Sequence, residues 1–193
     1  DCHSQIKSTC KSAWHHLRNI GKIRNYLDKK ATEQLIHAFV SSKLDINNCL
    51  LYGLPDNLIQ KLQAIQNAAA RLVVRMPKHC HISPILAELH WLPVKKRIDY
   101  KVLLMVFKAL HSLAPAYIND LLKPKPTSSR ALRSNDQNLL LVPRSRSAKY
   151  GDRNFRNIAP ALWNKLPQHI RNCDDLDLFK QQLKTKLFKE AYD

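Results

Sequence analysis

Two adjacent carboxylates, Asp174-Asp175, are the residues of this chain nearest in type to a two-metal centre. Paired acids hold magnesium where a phosphoryl oxygen is displaced, and they do so from a strand–turn–strand with apolar flanks. Here the pair precedes Leu176, Phe179, Leu183 and Leu187 at helical spacing, with Lys184, Lys186 and Lys189 toward the far end. Acids at a helix start and cations at its end complement the helix dipole, so capping is the expected role. Soft metal ligands concentrate at His79-Cys80-His81 with His90. Structural zinc sites space their paired ligands more widely, and the cluster reads as a loop with incidental ligands. His15-His16 reads as one imidazole inward and one outward on a helix. There is no G-x-S-x-G elbow and no G-x-G-x-x-G or Walker-type loop. The chain is expected to carry no enzyme chemistry of its own, no cofactor and no small-molecule substrate.

The cations point elsewhere. A net charge of +17 and a pI near 9.9 call for a polyanion, nucleic acid before an acidic membrane surface. Lys95, Lys96, Arg97, Lys101 and Lys108 populate one side of a predicted helix. Lys123, Lys125, Arg130, Arg133, Arg144, Arg146, Lys149, Arg153 and Arg156 follow, opposed in that interval only by Asp136 and Asp152. Such a set positions RNA or DNA through phosphates without reading its sequence. Tyr150, Phe155 and Trp163 interleave with the second group and are of the type that stacks on unpaired bases. For Trp91, Trp163 and Phe179, core packing is the preferred reading.

Helices must carry most of these residues. Ile6, Ala13, Leu17 and Ile20 recur at helical spacing, and Gly21 is the expected stop. Asp28 caps a second helix with Leu35, Ile36, Phe39 and Val40. Asp56 caps a third, whose seam is Leu58, Leu62, Ile65, Ala69, Leu72 and Met76. Ser83-Pro84 opens a short helix and Pro93 a long one with Val94, Ile98, Val102, Met105 and Ala109 inward. Lys123 to about Arg133 is a basic Pro/Ser-rich linker. Residues 138–143 are the best strand candidate, with a second extended piece near Phe155 to Ile158 and a short helix from Pro160. The expected fold class is mainly α: a helical body over 1–122, a linker over 123–137 and a small α+β C-terminal segment over 138–193.

The 45% apolar content excludes wholesale disorder, and only three glycines argue against a large all-β fold. Five scattered cysteines without a C-x-x-C pair suggest neither a disulfide framework nor a zinc ribbon, so a reducing, intracellular setting is expected, nuclear or cytoplasmic. No apolar run approaches the ~20 residues that span a bilayer, and no membrane partner is expected. The opening Asp1-Cys2-His3-Ser4 has no initiator methionine or signal-peptide pattern, as expected for a piece of something longer.

Several short passages, in order, carry a resemblance. They are Leu51-Tyr52-Gly53-Leu54-Pro55, Gln66-Asn67-Ala68-Ala69-Ala70-Arg71, Leu89-His90-Trp91-Leu92-Pro93-Val94, Lys108-Ala109-Leu110-His111-Ser112-Leu113-Ala114-Pro115 and Ala159-Pro160-Ala161-Leu162-Trp163-Asn164 with Leu166-Pro167. Together they resemble the region downstream of the catalytic palm, thumb plus C-terminal segment, in LINE-type non-LTR retrotransposon reverse transcriptases. The stretch Asp45-Ile46-Asn47-Asn48-Cys49 departs from that pattern, which places an aromatic after Asp45. The resemblance implies a helical thumb-like bundle that holds template RNA and primer DNA. It also implies a parent RNA-directed DNA polymerase that uses magnesium on palm aspartates this chain does not contain. The alternative expectation is a helical protein-interaction module or a non-functional element remnant.

Overall fold

The structure is a computed structural model that describes residues 2–125, 138–144 and 153–193. It is mainly helical. The chain forms α1 (Cys2–Ile23), α2 (Lys29–Ile36), α3 (Ser42–Asp45), α4 (Asp56–Val74), α5 (Ile82–Glu88), α6 (Val94–Leu110), α7 (Ala116–Asn119), α8 (Phe155–Asn164), α9 (Gln168–Arg171) and α10 (Leu176–Tyr192). It divides into two compact units, Asp1–Ile98 with Phe188–Asp193, and Asp99–Leu187. The division falls within α6 and within α10.

In the first unit α4 is the central element, packed by α1, α2 and α5. Its buried positions are Leu58, Ile59, Leu62, Ile65, Gln66, Ala69, Ala70 and Val73. The expected seam holds as far as Ala69 and then drifts to Ala70 and Val73, leaving Met76 exposed. An α-helix turns 3.6 residues per turn, so a strict alternation of three and four slides around it. α1 buries Ile6, Ala13, Leu17 and Ile20 and runs through Gly21 to Ile23. Asp28 caps α2 as expected, its Oδ1 accepting from the Ala31 amide at 2.6 Å.

Helix ends are where local reading meets tertiary context. α4, α5 and α6 all stop without glycine. Arg75, His90 and Ser112 take positive φ of 56°, 53° and 57°. The amides of Met76, Trp91 and Leu113 then reach back to the carbonyls of Arg71, Leu86 and Lys108 at 3.0, 2.9 and 2.7 Å. This is the Schellman geometry, usually built on glycine.

The second unit buries Val102, Leu103, Val106, Phe107, Trp163, Phe179 and Leu183. Phe107 stacks on Phe179 at 4.2 Å between ring centroids, and Trp163 lies tilted against Phe179 at 5.9 Å. The expected α+β character of 138–193 is not found: among the described residues there is no strand, only one antiparallel bridge, Pro124 to Leu140. Lys125 N–H donates to the Leu139 carbonyl and Leu141 N–H to that of Lys123. The Asn164 side chain takes both backbone groups of Leu140, at 2.9 and 2.8 Å. One side chain thus stands where a further strand would, while on the opposite edge Pro124 has no N–H to offer another strand. The second extended piece, Phe155 to Ile158, is instead the first turn of α8. Asn154 caps it, Oδ1 accepting from the Arg156 amide at 3.2 Å. Pro160 therefore lies inside this helix rather than at its start, giving up one helical hydrogen bond.

Candidate nucleic-acid interface

The joint at Leu89 to Val94 is scaffold, fixed by α4. Gln66 Nε2 donates to the Leu92 carbonyl at 2.8 Å, and Gln63 Oε1 accepts from the Val94 amide at 2.8 Å, capping α6. Trp91 is buried and its indole N–H donates to Glu33 Oε1 at 3.1 Å. The Trp91 carbonyl accepts from the Tyr192 hydroxyl at 2.5 Å. Burial pushes that hydroxyl up to about 12, so it keeps its proton and goes on donating well into the alkaline range.

Two buried arginines are also structural. Arg24 donates to the carbonyls of Leu72, Leu27 and Val73 at 2.8, 2.7 and 2.7 Å, closing the C-terminus of α4. Burial, and then neighbouring Arg75, pull its guanidinium below the ordinary range, while Asp28 acts the other way. Arg171 reaches back to the carbonyls of Asn164 and Leu166 at the end of α8, and burial lowers it likewise. A cation at a helix C-terminus satisfies carbonyls that have no intrahelical partner.

The expected phosphate-binding residues separate into groups. Arg97 is half-buried and forms a bidentate pair with both carboxylate oxygens of Asp45, its Nε at 2.9 Å. Lys96 is paired with Glu190 at 2.6 Å. Neither presents the free outward charge expected of it, because partners distant in sequence fold beside them. Lys95 lies 3.7 Å from Asp56, but both side chains are over 70% exposed (74% and 81%), and such pairs contribute little. Lys101, Arg144 and Arg156 are exposed, while Lys108 and Arg153 are half-buried. Arg130, Arg133, Arg146 and Lys149, with Tyr150, lie outside the described residues.

The Arg97 assignment has a direct test. Arg97→Glu is expected to lower stability by about 2 kcal/mol, the scale of hydrogen bonds to a charged group, and Asp45→Arg in the same chain should restore part of it. Denaturant midpoints of the two single variants and the double variant measure the coupling. Additive losses would mean that the pair does not stabilise the fold.

Asp174-Asp175 does not offer two carboxylates to one ion. Asp175 Oδ1 accepts from the Leu178 amide at 2.6 Å, capping α10, and Asp174 lies 3.8 Å from His111 Nε2.

Sequence reading missed the cations of α1. Lys7, Lys11, Arg18 and Lys22 are exposed, and no acidic residue occurs from Cys2 to Ile23. A helical wheel drawn for the cations, as it was for the apolar positions, brings them onto one face. A scan of protein-family models, a search of curated proteins and a search of solved structures each find no match.

Proposed function

We propose that this chain is part of a retrotransposon RNA-directed DNA polymerase, without the catalytic palm, and that it holds template RNA or primer DNA by contacts to the phosphate backbone. The observation that carries the binding role is a surplus of cations left on the surface. Of the 32 Lys and Arg residues, the described ion pairs engage only a few, chiefly Lys29, Lys96, Arg97 and Lys180. Lys7, Lys11, Arg18, Lys22, Lys101, Arg144 and Arg156 remain exposed. The ordered passages named above support the polymerase reading, and their two tryptophans, Trp91 and Trp163, are buried and serve as scaffold.

Binding of this kind releases counterions. With about six phosphate contacts, affinity for unrelated duplexes and strands is expected to fall about a thousandfold between ~50 and ~200 mM salt. A filter-binding salt series measures it, and salt-independent binding would refute the proposal. Among the described residues Leu113, Tyr117, Leu121, Leu141 and Val142 are exposed apolar groups of the second unit. They favour the rival reading, a protein-interaction module, for which pull-downs would survive nuclease treatment.

A further inference from the structure

We infer that the outer face of α1, with the groove between α1 and α4, is a platform for single-stranded nucleic acid, in which Trp14 stacks on an unpaired base. The inference rests on the phosphate-contact reading above and adds a site and a strand preference to it.

At 100° per residue, Lys7, Lys11, Trp14, Arg18 and Lys22 fall within ~80° of arc on α1. Lys7–Lys11 and Arg18–Lys22 are each one helical turn apart, a rise of ~6 Å, and the stripe extends ~22 Å along the axis. Among the described residues none of these four cations has an acidic partner within ion-pair distance, nor has Lys61. Beside the stripe runs a groove of about 650 Å³, lined by Lys7, Cys10 and Trp14 from α1 and by Leu58, Lys61 and Ala64 from α4. Trp14 is 39% exposed, whereas Trp91 and Trp163 are 4% and 0%. An indole flanked by unpaired ammonium groups is the combination that holds a strand by base stacking and phosphate contact together.

Two other occupants fit less well. A duplex shows phosphates to the stripe but no base face to the indole. An acidic membrane would need an apolar face of α1, and that face, Ile6, Ala13, Leu17 and Ile20, is already buried.

The test is fluorescence titration of the full chain with oligo(dT), oligo(rU) and a hairpin duplex of matched length, across a salt series. Single strands should quench tryptophan emission, a signal that reports Trp14 because the other two indoles are buried. Trp14→Ala should abolish the quench and weaken single-strand binding about 5- to 150-fold, the effect of losing one stacked base, with duplex binding unchanged. Trp14→Phe should recover most of the affinity. Lys7→Gln with Lys11→Gln should flatten the salt slope for single strands by about 1.4. Circular dichroism of each variant checks that α1 is intact. Equal binding of single strands by wild type and Trp14→Ala, a preference for duplex, or binding confined to vesicles of acidic phospholipid would overturn the inference. Salt-dependent binding of polynucleotides without the Trp14 effect leaves the phosphate-contact reading standing, and loss of all such binding removes both.

Discussion

Arg24→Ala is expected to destabilise the first unit by about 3 kcal/mol, although Arg24 is charged and belongs to a chain rich in cations. The guanidinium is 6% exposed and donates to three carbonyls, two of them, Leu72 and Val73, in the last turn of α4. Hydrogen bonds to a charged group are worth ~1.5–3 kcal/mol each. The desolvation of the guanidinium offsets part of their sum. Alanine relieves that desolvation but leaves buried carbonyls unpaired at the negative end of the helix dipole. Arg24→Lys should rescue little, since an ammonium cannot span three acceptors with the geometry of a planar fork. Arg75→Ala is the internal comparison. Arg75 is exposed and its two bonds to the carbonyls of Arg24 and Leu27 are longer, 3.3 and 3.5 Å. Its loss should cost under ~1 kcal/mol. Denaturant midpoints at unchanged slope measure all three. A loss below about 1 kcal/mol for Arg24→Ala would mean that water replaces the cap.

The largest single loss is expected in the second unit, where Trp163→Ala should cost about 4 kcal/mol. Trp163 is fully buried and its indole N–H donates to the Asn138 carbonyl at 2.8 Å. Its ring leans on Phe179, which stacks on Phe107. The cavity left by alanine opens where α8, α10 and the segment around Leu140 meet. Asn164, the next residue, holds both backbone groups of Leu140. Loosening α8 therefore also loosens the only backbone pairing of this region among the described residues. Trp163→Phe should lose about half as much, since it keeps the ring packing but not the bond to Asn138. Proteolysis near Leu140 in Trp163→Ala, with the first unit protected, is the accompanying readout. Equal loss in both units would mean that Trp163 supports more than its own unit.

Much of the helical content was legible because it is local. Apolar residues three and four apart specify a helix whatever lies elsewhere, and Asp28 and Asp175 sit where carboxylates satisfy free amides. Helix ends were less legible. Gly21, the expected stop, lies within α1, whereas Arg75, His90 and Ser112 end helices in a conformation that usually selects glycine. Pro77, just past Arg75, marks the first of these ends, while those at His90 and Ser112 are closed by the backbone bonds of Trp91 and Leu113 to Leu86 and Lys108. The segment 138–143 looked like a strand because its apolar run is strand-like. Its partners turned out to be the backbone of Lys123 and Lys125 and the side chains of Trp163, Asn164 and Asn172, which complete a bridge but no sheet.

The candidate site divides in the same way. Net charge is a property of composition, and a surplus of cations of this size is what the proposed phosphate contacts rest on. Which cations are free is a property of the fold. Arg97 meets Asp45 and Lys96 meets Glu190 across long stretches of chain, and both are taken up at home. Lys7, Lys11, Arg18 and Lys22 stay exposed because the rest of α1 faces α4 and brings no carboxylate with it. Helix formation depends on neighbours within a turn or two, so the sequence alone determined it. Charge pairing depends on residues brought together from far apart, so only the tertiary structure decided which part of the positive charge is left for a partner.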